Sequence, residues 1–196
     1  MPLVRMLDRD EVPPHTQATF DAGVKLRGKV LDGWRVVAHS PAIFDAYLPF
    51  LQAVFSPQAL EHRTMHLSAV RATLLNHCRY SLSHRVDAAR KQGIPDDDLV
   101  ALANLDDNRD RFSAKELAAL DFTDELTTRV DDVSYHDEPL GVTAETLARV
   151  GDLFSDAELV ELTMSVALWN LLTRFTRVMD FDLDMDPPPP ELDAAL

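Results

Sequence analysis

The feature that most constrains the fold is a helix-start signal that occurs three times, in the stretches FSPQAL, FSAKEL and FSDAEL. Each stretch places a Ser directly after a Phe and a Leu four residues after that Ser. Ser113 with Glu116, and Ser155 with Glu158, fit the S-x-x-E capping box, in which the two side chains satisfy backbone amides at a helix start. In the first copy Ser56 is followed by proline. We expect a helix to begin at each of the three.

Helical periodicity extends over most of the remaining chain. In SPAIFDAYLPFLQAVF, Ser40 is placed as an N-cap and Pro41 takes the favoured first helical position. Phe44, Leu48 and Leu51 follow at i, i+4 and i+7, which predicts one buried helical stripe. No segment shows the alternation of a β-strand. The predicted fold class is therefore all-α.

The composition predicts one helical domain with two extensions. Residues 1–14 are charged, contain two adjacent prolines and are predicted to form a flexible N-terminal arm. Residues 15–180 are predicted to be a single helical domain, whose first helical stretch is interrupted near Gly33. Residues 181–196 form an acidic, proline-rich tail, which has too little apolar surface to fold alone.

Charge and hydropathy exclude several classes of partner. The formal net charge is −14, whereas nucleic acids and anionic membranes require a basic face. No apolar run approaches the roughly 18 residues of a membrane span, and the first residues do not resemble a secretion signal. A single cysteine rules out an intrachain disulfide framework and suits a reducing compartment. We expect a cytoplasmic protein that binds neither nucleic acid nor a membrane.

The stretch N-H-C-R-Y-S-L-S-H-R contains the single cysteine, Cys78. On a helix, Cys78, Ser81 and Arg85 are spaced i, i+3 and i+7 and fall within about 60° of one another. His84 lies about 120° from Cys78 and would reach a shared pocket only from its rim. If the chain breaks beside His77, the helix N-terminus and an Arg would both stabilise a thiolate. The alternative is that Cys78 is a small buried residue without a chemical role.

Several stretches together resemble the carboxymuconolactone decarboxylase and alkyl hydroperoxidase D-like family. They are WRVVAHSPAIFDAYLPFLQAVF, ALEHRTMHLSAVRATLLNHCRYSLSHRVDAARKQGI, DRFSAKELAALDFTDELT and FSDAELVELTMSVALWNLLTRF, and the resemblance spans about residues 34–180. It implies an alkyl hydroperoxidase D-like helical bundle and a homo-oligomer, either a trimer or a hexamer.

In the hydroperoxidase branch of that family, a Glu precedes a Cys-x-x-Cys motif by twelve residues, and a His follows the second Cys by four. Carried onto this chain, the Glu position holds His66, the first Cys is Cys78, the second is Ser81 and the His position is Arg85. His84, one residue earlier, matches the first of the paired histidines of many members. A dithiol cycle needs a second thiol to resolve a sulfenic acid. Ser81 cannot do this, so a self-contained dithiol peroxidase is excluded.

The first functional hypothesis is an enzyme without metal or cofactor that acts on a small organic acid or lactone. Its reaction would be a decarboxylation or a related lyase or isomerase step. Cys78, His66 and His84 would transfer protons, and Arg85 would hold the anionic group of the substrate. For Arg85 the alternative is a surface ion pair with Asp87 or a neighbouring acid.

Three further residues are predicted to line the substrate site, namely Ser81, Tyr80 and His77, with Tyr80 expected to pack rather than react. For His66 the alternative is a hydrogen-bonded core residue. The other histidines lack metal-ligand spacing, so no metal site is predicted, including at His136, Asp137 and Glu138.

Two further functional hypotheses remain open. In one, the protein is a one-cysteine peroxidase in which an external thiol reduces Cys78. In the other, it is a non-catalytic scaffold that has lost the family's active site, and Cys78, His66 and Arg85 then point away from any common pocket.

Overall fold

The structure is a computed structural model that describes residues 2–129 and 141–196. These residues contain helices and no strand, so the all-α prediction is confirmed. A short 3₁₀-helix at Arg9–Glu11 precedes the first α-helix, and a longer one at Leu102–Arg111 joins α6 to α7. The α-helices are α1 (Pro14–Arg27), α2 (Asp32–Val37), α3 (Pro41–Phe55), α4 (His62–Leu75), α5 (Arg79–Lys91), α6 (Asp96–Ala101), α7 (Ala114–Thr128), α8 (Ala144–Leu153), α9 (Asp156–Met179) and α10 (Pro190–Asp193).

Two of the three predicted helix starts are confirmed as capping boxes. The amide of Glu116 donates to the Ser113 hydroxyl at 3.2 Å, and the Ser113 amide donates to the Glu116 carboxylate at 2.8 Å. The same reciprocal pair joins Ser155 and Glu158 at the start of α9.

The helix start predicted at Ser56 is wrong. Ser56 follows the last residue of α3, and α4 begins only at His62. The intervening loop is held by Glu161 of α9, whose carboxylate accepts the backbone amides of Gln58, Ala59 and Leu60 at 2.8, 3.0 and 2.7 Å. A carboxylate from another helix therefore satisfies the amides that a capping box would otherwise satisfy.

Helix α4 lies at the centre of the bundle between two apolar clusters. One face, which includes Met65 and Ala69, packs with α3, α7, α8 and α9. The opposite face, which includes Leu67 and Val70, packs with α5, α6, α7 and the second 3₁₀-helix. All four of these side chains are fully buried, as expected of a helix that is apolar on both sides.

The N-terminal helices break at a different point from the one predicted. Helix α1 ends before Gly28, whose φ of 79° lies in the left-handed region that glycine tolerates, and Gly33 lies inside α2. A third glycine, Gly23, lets α1 approach α2 closely, because a Cβ there would lie 2.5 Å from the ring of Trp34.

Both chain extensions pack against the helical domain. In the N-terminal segment Leu7 is buried, and its amide donates to the carbonyl of Arg35 at 3.1 Å. The C-terminal segment folds back along α5, where Leu192 is fully buried and Asp193 accepts two hydrogen bonds from Arg79. The acidic segment 181–186 consequently lies beside α5.

Among the residues the structure describes, none of the helices has the length and apolar character needed to cross a bilayer.

Candidate active site

A tight turn between α4 and α5 positions the cysteine. His77 adopts a left-handed φ of 49°, and the amide of Cys78 donates back to the carbonyl of Thr73 at 3.2 Å. The carbonyl of Asn76 accepts a hydrogen bond from the Arg177 guanidinium at 2.9 Å. The chain therefore breaks where the sequence suggested, and Cys78 is the N-cap residue of α5.

The sulfur of Cys78 contacts two hydroxyl groups. Sγ lies 3.2 Å from Oγ of Ser81 and 3.1 Å from Oγ1 of Thr176, and these two oxygens are 3.1 Å apart. The Thr176 hydroxyl donates to the carbonyl of Leu172 at 2.9 Å. With the Thr176 proton used in this way, the thiol donates to Ser81, which in turn donates to Thr176. A thiolate would require the Ser81 hydroxyl to turn towards the sulfur.

One turn further along α5, His84 is bound to a carboxylate from the C-terminal segment. Its Nε2 lies 2.5 Å from Oδ1 of Asp184, and both side chains are about nine-tenths buried. The other oxygen, Oδ2, accepts the Tyr80 hydroxyl and the Asp32 amide, each at 2.9 Å. The Tyr80 oxygen accepts the amide of Gly33 at 3.2 Å. Asp184 is thereby held by α5 and by the start of α2.

The electrostatics of this cluster favour an ionised Asp184 and a neutral Tyr80. Burial by itself raises the pKa of Asp184, but the hydrogen bond and charge of His84, with the Asp32 amide and the Tyr80 hydroxyl, lower it below its ordinary value. Burial and the neighbouring Asp184 carboxylate raise the pKa of Tyr80 far above its ordinary value. The carboxylate is therefore placed to stabilise a protonated His84.

Arg85 is buried between two aromatic rings. Its guanidinium carbon lies 4.2 Å from the ring centroid of Trp169 and 4.6 Å from that of Phe55. The alternative of a surface ion pair with Asp87 is wrong, because Arg85 is buried and the Asp87 carboxylate instead binds Lys91 at 2.8 Å.

His84, Arg85, Tyr80, Ser81 and Thr176 line a cavity of about 620 Å³ bounded by α1, α2, α3, α5 and α9. Four residues on two successive turns of α5 form a polar wall of this cavity, namely Tyr80, Ser81, His84 and Arg85. The remaining walls are mainly apolar and aromatic, with contributions from Leu31, Trp34, Tyr47, Leu48, Leu51, Phe55, Trp169, Leu172 and Phe175. Both tryptophans of the chain are among them. Thr19, Lys25, Asp45, Gln52 and Thr176 add polar groups to these walls.

The other three predicted site residues lie elsewhere. Cys78 is only 2% exposed and lies behind Ser81 and Thr176, which separate it from the cavity that they line. His66 is buried on α4 and does not line this cavity. His77 is exposed, and its Nδ1 lies 2.9 Å from the carbonyl oxygen of Leu196. The structure thus brings the four α5 residues together in the cavity wall. His66 of α4 and His77 of the turn lie outside the cavity.

Sequence reasoning missed two residues of the site, Asp184 and Thr176. Asp184 lies 100 positions beyond its partner His84, in a segment assigned to a tail. Four acids alternate along residues 180–186, and no local pattern distinguishes the one that turns inwards. Thr176 carries no motif, and only the packing of α9 on α5 brings it to the sulfur.

Within residues 2–129 and 141–196, no cluster of three or more His, Cys, Asp or Glu side chains could hold a metal ion. The segment His136 to Glu138 lies outside the described residues.

Residues 41–125 match the model of the Carboxymuconolactone decarboxylase family. Over this segment the chain is similar to the Carboxymuconolactone decarboxylase family. The match runs from α3 into α7 and includes the cysteine and the polar wall of α5, so the resemblance found in the sequence is confirmed. Asp184 and Thr176 lie beyond the matched carboxymuconolactone decarboxylase region, although both contact it.

Solved structures with the same fold extend the likeness over the whole chain. The debrominase Bmp8 in its apo form superposes with a TM-score of 0.79 at 18% identity, covering 99% of this chain and 98% of Bmp8. A cysteine-to-alanine variant of Bmp8 in complex with 2,3,4-tribromopyrrole superposes with a TM-score of 0.76 at 17% identity, covering 100% of this chain and 96% of the variant.

A third structure is an uncharacterized peroxidase-related protein of Ralstonia eutropha with the alkylhydroperoxidase AhpD core. It gives a TM-score of 0.75 at 15% identity, covering 98% of this chain and 94% of its own. A comparison with curated protein sequences finds no match. At these identities the solved structures establish the carboxymuconolactone decarboxylase-like fold and no particular reaction.

Proposed function

We propose that the protein is an enzyme that transfers protons on a small, mostly apolar organic anion, in a decarboxylation or a related lyase or isomerase step. The observation that carries this proposal is the 2.5 Å contact between Asp184 and His84, which lines a cavity together with Arg85. The fold alone supports many chemistries, and these side chains are what favours proton transfer.

His84 is the proposed proton carrier. An imidazole changes charge near neutral pH, and a carboxylate bound to one of its nitrogens fixes the ring and stabilises its protonated form. Asp184 supplies that carboxylate, and its lowered pKa keeps it ionised. Tyr80 keeps its proton and binds the other oxygen of Asp184, so it holds the carboxylate in place.

Arg85 is the proposed anchor for the negative charge of the substrate. Two aromatic rings lie against its guanidinium, and the N–H groups of a guanidinium donate in its plane to an anion. In a cavity with apolar walls such a charge-assisted bond is stronger than in water. Arg85 directly follows His84 in the sequence, and both side chains line the same wall of the cavity.

The size and lining of the cavity support a small ring compound as substrate. A volume of about 620 Å³ is typical of small-molecule sites. The matched family is named for a lactone acid, and the Bmp8 variant was crystallised with a tribrominated pyrrole, whose N–H is acidified by its halogens. Both molecules are small rings that carry or readily form a negative charge.

A one-cysteine reaction of Cys78 is the second candidate. It is favoured by the position of the sulfur at the N-terminus of the 13-residue helix α5, in contact with the Ser81 hydroxyl, which could turn to stabilise a thiolate. In this scheme peroxide would oxidise the sulfur to a sulfenic acid, and an external thiol would reduce it. The burial of Cys78 requires an opening movement before the sulfur can react.

Two assays with the same variants distinguish the candidates. The first follows carbon dioxide released from carboxymuconolactone, and the second follows an organic hydroperoxide in the presence of dithiothreitol. Proton transfer by His84 predicts that His84→Asn lowers the first activity by about 10²–10⁴-fold and that Cys78→Ser leaves it largely intact.

The opposite dependence, in which hydroperoxide turnover is lost with Cys78→Ser and survives His84→Asn, would establish the cysteine reaction. Carbon dioxide release that is unchanged in His84→Asn would refute the proposed proton carrier.

A further inference from the structure

The cavity opens to solvent between α1 and α3. Its exposed lining residues are Ala18, Ala22 and Lys25 of α1 and Pro49 and Gln52 of α3. The lining residues contributed by α2, α5 and α9 are all buried or half-buried. Residues spaced i, i+4 and i+7 lie on one face of a helix, so α1 presents a single stripe to this opening, which we call the mouth of the cavity. A ligand on its way to the polar wall of α5 therefore passes between these two helices.

The two helices that form the mouth are joined by hydrogen bonds to Asp45 of α3. Its carboxylate accepts the hydroxyl of Thr19 at 2.6 Å and that of Thr16 at 3.2 Å, and Nε2 of His15 lies 3.4 Å away. Lys25 follows Thr19 by six residues, which places it about 9 Å further along the helix axis. The mouth therefore contains a negative group that α1 already engages and, at a separate place, a lysine.

The lysine at the mouth is not held by an acid of the protein. Lys25 forms no ion pair with any residue that the structure describes, whereas Lys91 and Lys115 bind carboxylates at 2.8 and 2.6 Å. Asp21, one turn before Lys25, instead binds Arg9 through both carboxylate oxygens. The exposed Lys25 therefore offers a positive charge at the mouth of a protein whose net charge of −14 otherwise repels anions.

We infer that the anionic substrate enters between α1 and α3 and that Lys25 attracts it to the mouth, before Arg85 binds it at the α5 wall. This inference rests on the proposed function, because it takes the substrate to be an anion. A charge on the rim of a site acts mainly before contact, so it raises the association rate more than the lifetime of the complex. Arg85 is only 2% exposed and acts on an anion that is already inside. Lys25 therefore favours anionic ring compounds over neutral ones of the same size.

The binding kinetics of benzoate test the role of Lys25. Relaxation of tryptophan fluorescence after a temperature jump measures its association and dissociation rates, because Trp34 and Trp169 line the cavity. At about 10 mM salt, where the Debye length is about 30 Å, Lys25→Gln should lower the association rate about two-fold and Lys25→Glu about five-fold. The dissociation rate should change little. In about 1 M salt, where the Debye length is about 3 Å, both variants should associate with benzoate as fast as the unchanged protein does.

Matched controls separate attraction at the mouth from a change in net charge. Lys91→Gln removes an exposed lysine at the end of α5 and should leave the association rate of benzoate unchanged. Benzyl alcohol carries no charge and should associate equally fast with the Lys25 variants and the unchanged protein. Ala22→Phe narrows the mouth and should slow the association of both ligands. Ala42→Phe, at an exposed alanine of α3 outside the cavity lining, should slow neither. Circular dichroism should show that all variants fold.

The outcomes distinguish this inference from the proposed function. Benzoate binding that depends on Arg85, with an association rate unchanged in Lys25→Glu, would overturn the role of Lys25 and leave the proposed function intact. Unchanged association of both ligands in Ala22→Phe would overturn the placement of the mouth. If benzoate fails to bind, or binds Arg85→Met as strongly as the unchanged protein, the proposed anion site is refuted, and this inference with it.

Discussion

The imidazole of His84, which lines the cavity, lies 2.5 Å from the carboxylate of Asp184, 100 residues later in the chain. The C-terminal segment thus supplies the carboxylate that binds a histidine of the cavity wall. Both groups are almost fully buried, so their interaction is only weakly screened by solvent.

Removal of the Asp184 carboxylate is expected to impair both stability and proton transfer. A charged hydrogen bond of this kind contributes about 1.5–3 kcal/mol, and Asp184→Ala should lower the free energy of unfolding by that order. Asp184→Asn keeps the shape and removes the charge, so it should retain more stability and still lower turnover. Urea denaturation measures the first effect, and carbon dioxide release measures the second. Equal turnover in Asp184→Asn and the unchanged protein would contradict a role for this charge.

Arg85 should control the affinity for anionic rings. Trp34 and Trp169 line the cavity and are the only two tryptophans, so intrinsic fluorescence reports directly on its occupancy. Benzoate should quench or shift this fluorescence more strongly than benzyl alcohol, which has a similar size and no charge.

Arg85→Met preserves an unbranched apolar side chain between the two rings and should weaken benzoate binding by about 10–100-fold. Binding of benzyl alcohol should change little and serves as the control. A similar loss for both ligands would indicate that Arg85 supports the cavity without binding the anion.

Replacing Ser81 with Cys should produce a disulfide with Cys78. Sγ of Cys78 lies 3.2 Å from Oγ of Ser81, and the two residues occupy the first turn of α5, as in a Cys-x-x-Cys motif. After treatment of Ser81→Cys with diamide, thiol titration in denaturant should find no free thiol, and dithiothreitol should restore two. The unchanged protein, with one cysteine, should retain its thiol under mild oxidation. Two persistent thiols in the oxidised variant would contradict the placement of these side chains.

Tyr80 should keep its proton in alkaline solution for as long as the protein is folded. Its pKa is raised above the ordinary value by burial and by Asp184, so its contribution to stability is complete below about pH 10 and is lost as the pH rises through the folded-state pKa. The phenolate absorbance of the folded protein should therefore be the same in Tyr80→Phe and in the unchanged chain. A smaller absorbance in the variant before unfolding would show that Tyr80 ionises in the folded state.

Glu161 should make the loop before α4 sensitive to acid. Burial raises the pKa of Glu161, but the amides of Leu60, Gln58 and Ala59 outweigh this effect and lower it below its ordinary value. Its contribution to stability is therefore present above about pH 4–5 and is lost as the pH falls through the folded-state pKa. Glu161→Gln should lower the thermal midpoint at neutral pH, and the difference from the unchanged protein should shrink in acid. A difference that stays constant down to the acid transition would contradict this role.

The sequence alone determined the features that depend on neighbouring residues. Capping boxes at Ser113 and Ser155 and helical periodicity predict the all-α fold, because helix starts and buried stripes are coded over only a few residues. Tyr80, Ser81, His84 and Arg85 could be identified for the same reason, since they repeat along one helix. The family resemblance then indicated which helix lines the site.

The contact partners of those residues follow only from the tertiary structure. Asp184 is one of several acids in a segment without helical periodicity, and its selection depends on where the C-terminal segment packs. Thr176 reaches Cys78 because α9 lies against α5, and the same packing buries the sulfur behind the cavity wall. The loop at Ser56 is held by Glu161, a hundred residues away. Contacts between residues so far apart in the sequence depend on the packing of whole helices, and no local pattern in the chain specifies them.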